Sequence, residues 1–381
     1  MNRRSFLIGA SALASTSRAP RAWASSSSSR YLLYLGSRTQ QKGQGIIFCF
    51  FDAKTGQSSP VSLAAEMEFP TAFAVSSNKR VLYSTSEVGN DGKSSGTLYA
   101  FSIDHNSGKL TPMNHVSAGG GGPTSIRLDA TGKNLLVADF GAGCTNVFRV
   151  QPDGQLGDQT ASVVHSGSGP HPRQKTPHAH DVVMSPDNRF LVAPDMGADR
   201  VYISEFDAVS GRLLEHNPPY YQMPAGSGPR QVVFHPDGKC MYLINELKAK
   251  VSVFTWNALH GTLTEIQTVA AGAEDASGGA LAISANGRYL YSNTRVDNSI
   301  EVFTIDRKNG MLSQPQRIAS GGKSPWGITL DPEGHHLLVM NLDSSSVSTF
   351  RVDPRSGGLT LAGPDFSVPT PVSAIFVPTV S

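Results

Sequence analysis

The amino-acid sequence predicts an all-β fold, a seven-bladed β-propeller whose blades each have four strands. The composition of the 381 residues, with 38 Gly, 24 Pro and only 16% charged residues, favours many short strands joined by turns. Past the N-terminus, no segment of about a dozen residues keeps a helical spacing of apolar positions. A strand–turn–strand unit recurs about every 50 residues, and a four-stranded unit at that period is typical of a propeller blade.

The segment Gly228–Trp256 shows the repeated unit most clearly. The apolar run Val232–Phe234 leads into the turn His235–Lys239, and a second apolar run, Met241–Ile244, follows. A third run, Val251–Phe254, alternates apolar and polar residues. Short apolar runs bounded by Pro, Asp and Gly indicate β-strands joined by tight turns.

Seven copies of this unit follow one another along the chain. They cover Tyr31–Gly56, Phe69–Leu110, Gly122–Leu156, Pro177–Leu213, Gly228–Leu263, Gly278–Leu312 and Ser324–Leu359, and the turns after the first strand lie at residues 78, 132, 188, 238, 287 and 334. The first copy lacks its first strand, while Val372–Val377 is a first strand with nothing after it. We therefore expect the C-terminal strand to complete the first blade and close the ring, which removes exposed sheet edges. Residues 31–381 would then form one domain.

The N-terminus has the three parts of a twin-arginine export signal. Asn2–Ile8 contains the paired arginines, Gly9–Thr16 is weakly apolar, and Ala22-Trp23-Ala24 is a small-residue cleavage site. Residues 1–24 are therefore predicted to be removed, and residues 25–30 to be a flexible Ser-rich start. The apolar stretch is too short to span a bilayer. The mature protein is expected to be periplasmic or secreted, with no membrane partner after cleavage.

Removal of residues 1–24 changes the sign of the net charge. The segment holds four Arg and no acidic residue, so the 32 basic residues fall to 28 against 30 acidic ones. Nothing in this balance supports a nucleic-acid partner. Cys49, Cys144 and Cys240 are odd in number and form no CxxC motif, which argues against a disulfide framework or a zinc site. Each is predicted to be a small buried side chain in an apolar strand.

The propeller fold converts scattered positions into one ring of residues. The first strand of each blade lines the central channel, so the starts of those strands and the ends of the second strands meet at one mouth of the channel. The strand starts contribute Pro70-Thr71, Pro123-Thr124, His178-Ala179-His180, Pro229-Arg230-Gln231, Gly279-Ala280 and Pro325-Trp326. The second-strand ends contribute Glu87, Asp139, Asp195, Asn245-Glu246, Asn293-Thr294-Arg295 and Asn341. Any chemistry is expected at this mouth.

Five residues at the mouth carry the chemistry of a candidate site. His178 and His180 lie two apart on a predicted strand and should face the same side; they suit a metal site, catalysis or substrate binding, or structural hydrogen bonding. Arg230 could hold a carboxylate or phosphate with two parallel hydrogen bonds, or pair with a neighbouring blade. Glu246 could pair with Arg230 or act as a base, and Arg295 occupies the equivalent position one blade later.

Other mouth residues complete the predicted substrate contacts. Trp326 could form the wall of a pocket or pack in the core. Gln231, Asn245 and Asp195 lie at mouth positions and are predicted to contact the substrate. We predict no metal and no cofactor.

Several sequence runs at these positions resemble those of the seven-bladed propeller lactonases. This family includes the propeller-type 6-phosphogluconolactonases and the fungal carboxy-muconate lactonising enzymes, also called cycloisomerase 2. The runs are Pro177-His178-Ala179-His180, Val192–Val201, Gly228-Pro229-Arg230, Asn245-Glu246-Leu247 and Tyr289-Leu290-Tyr291 followed by Arg295. The resemblance covers nearly all of the chain after the export signal.

The resemblance implies a site built from one His of the P-H-x-H run and three charged residues. These correspond to His178 or His180, and to Arg230, Glu246 and Arg295. The chain departs from the family pattern at Gln231, where a His is usual, and at Ala280, where an acid is frequent.

These observations lead to three alternative functions. The first is hydrolysis of an anionic, sugar-type lactone by a monomer, in which Arg230 and Arg295 bind the substrate while Glu246 or a His of the pair activates water. The second is a muconate-type lactonising cycloisomerase acting on an unsaturated dicarboxylate. The third is a non-catalytic periplasmic propeller that binds a ligand or a protein.

Overall fold

The computed structural model describes residues 29–273 and 276–379, and it arranges them as seven antiparallel β-sheets around a central channel. The export signal predicted over residues 1–24 and most of the Ser-rich start lie outside the described residues. The prediction of an all-β propeller with four-stranded blades is confirmed. Within the described ranges, no helix is long and apolar enough to cross a membrane.

The strands of each blade are given from the channel outward. Blade 1 contains β31 (Pro371–Pro378), β1 (Arg30–Ser37), β2 (Gly45–Asp52), β3 (Gln57–Ser58) and β4 (Ser62–Glu66). Blade 2 contains β5 (Pro70–Val75), β6 (Val81–Ser86), β7 (Thr97–Ile103) and β8 (Leu110–Ser117). Blade 3 contains β9 (Pro123–Leu128), β10 (Asn134–Asp139), β11 (Cys144–Val150) and β12 (Leu156–Val164). Blade 4 contains β13 (Val183–Met184), β14 (Phe190–Asp195), β15 (Arg200–Asp207), β16 (Arg212–Leu214) and β17 (Tyr220–Gln222). Blade 5 contains β18 (Pro229–Phe234), β19 (Cys240–Asn245), β20 (Lys250–Asn257) and β21 (Thr262–Ala270); blade 6 contains β22 (Gly278–Ile283), β23 (Tyr289–Thr294), β24 (Ser299–Thr304) and β25 (Gln316–Ala319); blade 7 contains β26 (Pro325–Leu330), β27 (His336–Asn341), β28 (Ser346–Val352), β29 (Leu359–Leu361) and β30 (Phe366–Ser367). In blades 1, 4 and 7 two short strands together take the place of the fourth strand.

The ring closes in the way the sequence predicts. The C-terminal strand β31 pairs antiparallel with β1, with Leu35 opposite Ala374. It thereby supplies the inner strand that the first copy lacks. The first and last strands of the domain therefore stabilise each other. Without β31, the inner edge of β1 would be an unpaired sheet edge.

Hydrophobic packing is divided among the seven interfaces between neighbouring blades. Each of seven buried clusters draws its residues from two adjacent blades; one, for example, joins Tyr242 and Val253 of blade 5 to Leu290 and Phe303 of blade 6. Cys49, Cys144 and Cys240 are free thiols buried in or beside this packing, as predicted. Stability therefore depends on how closely each blade fits the next.

A glycine in the hairpin between the third and fourth strands of a blade contributes directly to this fit, as in the run Asp104–Gly108 between β7 and β8. Gly108 has a φ of +73°, and a Cβ there would lie 2.1 Å from the Phe48 ring of the preceding blade. Its carbonyl accepts a hydrogen bond from the Tyr34 hydroxyl across the same interface. The same Tyr–Gly contact joins three further pairs of blades, Tyr83–Gly154, Tyr242–Gly310 and Tyr291–Gly357. Only glycine meets both demands, a left-handed backbone and close packing.

The inner strand of blade 4 differs from the prediction. The sequence places His178 and His180 on a regular strand, but the structure has only an isolated bridge between Ala179 and Asp195 there, and β13 has two residues. The Asp181 carboxylate accepts hydrogen bonds from Ser125 and from the backbone N–H of Val182, so side-chain bonds replace part of the strand ladder. An Asp in this position competes with backbone pairing.

Candidate functional site at the channel mouth

A β-bulge near the start of the inner strands aims side chains into the channel mouth. In β18, Pro229 pairs with Asn245 and Gln231 pairs with Ile244, so Arg230 has no partner on β19. A register shift at the same point occurs after Pro70, Pro123, Gly278, Pro325 and Pro371. A bulge re-aims a side chain out of the regular alternation of a strand. Each bulged strand thus has one residue more than its partner at this point, and in blade 5 that residue is Arg230.

A second ring of residues follows the second strand of each blade. In every blade the backbone N–H of this residue donates to the carbonyl that precedes the inner strand, as from Glu246 to Gly228. The seven residues so fixed are Arg38, Glu87, Phe140, Met196, Glu246, Arg295 and Leu342. Gly228 has a φ of +64°, and a Cβ there would lie 2.5 Å from Leu247 Cγ, which explains why Gly-Pro-Arg and Asn-Glu-Leu occur together.

The carboxylate of Glu246 is the centre of the site. Its Oε2 accepts a hydrogen bond from Arg230 Nε at 3.0 Å and lies 2.9 Å from Arg295 Nη2. His180 Nε2 lies 3.5 Å from the same oxygen. The Arg173 guanidinium lies 2.6 Å from Oε1, without the alignment of a hydrogen bond. The Glu246 side chain is 1% exposed, so three arginines and a histidine meet at one buried carboxylate.

These charges control one another's pKa values. Burial alone would raise the pKa of Glu246, but Arg295, His180 and Arg230 outweigh it and hold that pKa well below its ordinary value. Burial, followed by repulsion from Arg295, lowers the pKa of Arg230 to about 10. Burial and then Arg230 lower the pKa of His180, against the opposing effect of Glu246. At neutral pH the site therefore holds an ionised carboxylate, charged arginines and a neutral imidazole.

The two histidines of the P-H-x-H run have different surroundings. His180 lines the channel cavity and reaches Glu246. His178 stacks on the Phe140 ring, with centroids 4.4 Å apart, and its Nδ1 lies 2.8 Å from the Phe140 carbonyl oxygen. The edge of the same ring contacts His180. Phe140 therefore holds both imidazoles in place, and of the two only His180 is in reach of the charged cluster.

Gln231 and Trp326 both line the cavity, and their contact with substrate stays a prediction. Gln231 Oε1 also accepts the backbone N–H of Leu281 at 2.7 Å, so it ties blade 5 to blade 6. The Trp326 ring lies near three guanidinium groups, with its centroid 4.5 Å from Arg295 Cζ, 5.3 Å from Arg38 Cζ and 6.0 Å from Arg230 Cζ. It provides an aromatic surface that arginines favour.

Asp195 and Asn245 do not line this cavity. Asp195 Oδ1 accepts the backbone N–H groups of His178, Gly197 and Ala198, and Oδ2 lies 2.7 Å from His165 Nδ1. Asn245 donates to the Lys250 carbonyl and the Ser252 hydroxyl within its own blade. Both side chains hold the loops that carry the site, so they position the mouth without facing it.

The cavity at the mouth has a volume of about 380 Å³ and extends down the channel past Arg230, His180 and Trp326. Two further arginines near the site, one beside Trp326 and one beside Glu246, were not predicted from the sequence. Arg38 occupies the position of Glu246 in blade 1, and an alignment of that incomplete copy by its second strand would have found it. Arg173 comes from the irregular loop before β13, and no periodic signal marks it. Among the described residues, no group of three or more His, Cys, Asp or Glu side chains could hold a metal ion.

Comparisons with known proteins agree with this architecture. A family model described as "Lactonase, 7-bladed beta-propeller" matches residues 32–376. The 6-phosphogluconolactonase of Bacillus subtilis (strain 168) is 33% identical over 352 residues, which cover 91% of this chain and 99% of the relative. The 6-phosphogluconolactonase of Formosa agariphila is 31% identical over 336 residues, covering 86% and 94% respectively.

A solved structure shares both the fold and a similar level of identity. The periplasmic gluconolactonase of Pseudomonas aeruginosa superposes with a TM-score of 0.87 and 32% identity, and the match covers 92% of this chain and all of that one. Since the family model spans nearly the whole propeller and the relatives align along nearly their whole length, the chain belongs to the lactonase family of seven-bladed β-propellers.

Proposed function

We propose that the protein hydrolyses lactones at the channel mouth, by attack of water on the lactone carbonyl. The observation that carries this proposal is the meeting of a neutral imidazole with charged arginines: His180 and Arg230 line one cavity, and Arg295 joins them at Glu246. Ester hydrolysis needs a base to take a proton from water and donors to stabilise the oxyanion, and these residues supply both. Membership of a lactonase family supports the same reaction.

His180 is the base in this mechanism. Its lowered pKa keeps the imidazole uncharged at neutral pH, so it can accept a proton as the water oxygen bonds to the carbonyl carbon. The same proton then passes to the ring oxygen as the carbon–oxygen bond of the lactone breaks. The product is a hydroxy acid, whose new carboxyl group releases its remaining proton to solvent and stays next to the arginines as a carboxylate.

Arg230 and Arg295 stabilise the oxyanion that develops on the lactone carbonyl. Arg230 is held by hydrogen bonds to Glu246 and to the Gly279 carbonyl, and Arg295 by the Gly278 carbonyl, so both guanidinium groups are oriented before the substrate binds. Donors that are fixed in advance need no reorganisation in the transition state. The buried Nε of Arg295 lacks a hydrogen-bond partner among the described residues.

Glu246 holds the cluster together and does not act as the base. Its pKa is far below neutral, so its carboxylate is a weak proton acceptor. Its charge offsets part of the positive charge of three arginines and orients two of them. The remaining excess of positive charge suits a developing anion.

We place the reaction outside the cytoplasm. This proposal rests on the twin-arginine pattern of residues 1–24. Fusion of residues 1–30 to a reporter that needs the twin-arginine route would test it, with Arg3→Lys/Arg4→Lys as the control. Export that survives this change would argue against the proposal.

A lactone panel tests the reaction. Glucono-1,5-lactone, 6-phosphogluconolactone and an unsaturated dicarboxylate are offered to the wild type and to Arg230→Gln, with Arg212→Gln on the outside of blade 4 as the control for charge. We expect turnover of at least one lactone, a fall in kcat of about 10²–10³-fold in Arg230→Gln, and no change in Arg212→Gln. Binding without turnover across the panel would favour a non-catalytic propeller, and turnover of the dicarboxylate alone would favour a cycloisomerase.

A further inference from the structure

The channel contains a charged side chain that the proposed mechanism does not use. Arg127 lies on β9, three residues further down the channel than Thr124. Its side chain is 44% exposed, and it lines the same cavity as Arg230. Within residues 29–273 and 276–379 its guanidinium makes no hydrogen bond, and its nearest carboxylate oxygen, Asp181 Oδ1, is 3.9 Å away. A cavity-facing guanidinium that makes no hydrogen bond and has only one long ion-pair contact keeps its N–H donors available for an anion.

The surroundings of Arg127 do not explain its presence. The residues at its level on other inner strands are uncharged, among them Val233, Ala282 and Thr329, which line the cavity too. Asp181 already accepts hydrogen bonds from the Ser125 hydroxyl and from two backbone N–H groups, so it gains little from a guanidinium at 3.9 Å. Arg127 is therefore a charged side chain at a level where these other inner strands contribute uncharged ones, and its one nearby carboxylate is only in long contact with it.

The position of Arg127 fits a ligand that extends from the mouth down the channel. Successive residues of a strand rise about 3.3 Å, so the levels of Arg230 and Arg127 are separated by about 10 Å of backbone. The Arg127 side chain reaches back toward Asp181, which follows His180 directly. A six-carbon sugar acid lactone that places its carbonyl at Arg230 would place its far end near Arg127.

We propose that Arg127 is a specificity residue that binds a second anionic group, a terminal phosphate or carboxylate, at the end of the substrate remote from the lactone ring. The inference rests on the proposed lactone hydrolysis and narrows its substrate class to lactones with a terminal anion. Arg127 does not contact the reacting atoms. Its effect is therefore on binding, and it differs between substrates with and without that group.

The test compares three lactones in the full-length protein and its variants. They are glucono-1,5-lactone, which is uncharged, 6-phosphogluconolactone and a glucarolactone, which carries a terminal carboxylate. Arg127→Gln is expected to raise KM about 10–100-fold for each lactone whose terminal anion Arg127 binds, because the variant loses a charge-assisted hydrogen bond. The kcat values, and the KM of the uncharged lactone, should stay within twofold of wild type. Arg127→Lys should retain part of the preference for the anionic lactone. Arg212→Gln should not raise KM for any of the three lactones.

The pattern across the panel decides the outcome. A KM effect confined to the phosphorylated or to the carboxylated lactone identifies which anion is bound. An equal rise for all three lactones, or no rise for any, overturns the proposal. If the wild type turns over no lactone, the proposed function fails separately. Titration calorimetry with gluconate and 6-phosphogluconate then tests Arg127 alone, because equal loss of affinity for both acids in Arg127→Gln, or no loss for either, would refute its role.

Discussion

Two buried glutamates in neighbouring blades have opposite electrostatic environments. Glu246 follows β19 in blade 5 and is surrounded by guanidinium groups. Glu301 lies on β24 in blade 6, where it accepts hydrogen bonds from the hydroxyls of Ser292 and Ser299, while Arg317 Nε is 3.5 Å away on the surface side. Both side chains are almost fully inaccessible to solvent.

The two pKa values shift in opposite directions. Burial raises the pKa of Glu301 to about 7, although the hydroxyls reduce that effect. At Glu246 the same burial is outweighed by Arg295, His180 and Arg230. Burial therefore does not decide the charge of an inner carboxylate; the charge of its partners does. Glu246 is fixed as an anion at the mouth, whereas Glu301, with a pKa of about 7, exchanges between its protonated and ionised forms near neutral pH.

The largest predicted effect follows from removing the charge of Glu246. In Glu246→Gln three guanidinium groups face one another without a counter-charge, which we expect to lower the free energy of unfolding by about 3–5 kcal/mol. Loss of orientation at Arg230 and Arg295 should reduce kcat/KM on the order of 10³-fold. Chemical denaturation and lactone kinetics measure the two effects, and Glu301→Gln is the matched control because it should leave kcat/KM within twofold. A fully active, fully stable Glu246→Gln would refute the central role of this carboxylate.

A smaller loss of activity is expected from replacing the histidines, and comparing His180 with His178 shows which of them is the base. His180→Gln should lower kcat about 10²–10⁴-fold with little change in KM, because it removes the proton acceptor. Since the pKa of His180 lies below the ordinary 6.5, wild-type activity should stay constant near neutral pH and fall only at lower pH, as the imidazole becomes protonated. The variant should lose this acid limb.

His178→Gln is the matched control for that experiment. His178 contacts Phe140 and does not line the cavity, so its replacement should cost some stability while the acid limb of the pH profile remains. An acid limb that disappears in His178→Gln and persists in His180→Gln would assign the base to the other histidine.

The sequence predicts the fold better than the site, for a physical reason. Apolar runs and turns recur in every copy, so the period, the blade number and the closing strand can be read from many independent positions. The mouth residues are different, because each blade contributes its own side chain to a shared backbone position. The ring of positions was predictable, but the direction of each side chain depends on neighbours from other blades. Asn245 and Asp195 instead form hydrogen bonds within their own blades, which their position in the ring does not reveal.

Arg173 and Arg127 illustrate the limit of the repeat. Arg173 comes from a loop without a counterpart in other blades, yet it lies 2.6 Å from Glu246. Arg127 occupies a strand position that is apolar or uncharged elsewhere, and nothing in β9 alone indicates that it faces a cavity. Gln231 departs from the family pattern in the sequence, but the structure gives it a clear role, since it accepts the Leu281 N–H across the interface between blades.

The last predicted effect concerns Glu301 and involves stability alone, with no change in activity. An acid whose pKa is raised in the folded state destabilises that state as pH rises, because the unfolded chain loses its proton first. Between pH 4.5, the ordinary value, and about 7 the wild type should therefore lose stability, and Glu301→Gln, which cannot ionise, should not. The variant should exceed the wild type by up to about 3 kcal/mol at pH 8 and by little below pH 4.5.

The profile of Glu246 should have the opposite sign. Its lowered pKa stabilises the folded state above pH 4.5, and that contribution is lost as the pH falls below this value, so the deficit of Glu246→Gln should be greatest at neutral pH and shrink in acid. Denaturation of the wild type and both variants from about pH 2 to pH 8 would show two difference curves of opposite sign, the one for Glu246→Gln changing below pH 4.5 and the one for Glu301→Gln changing between pH 4.5 and about 7. If both variants were destabilised in parallel, burial alone, and not the charge of the partners, would govern these two carboxylates.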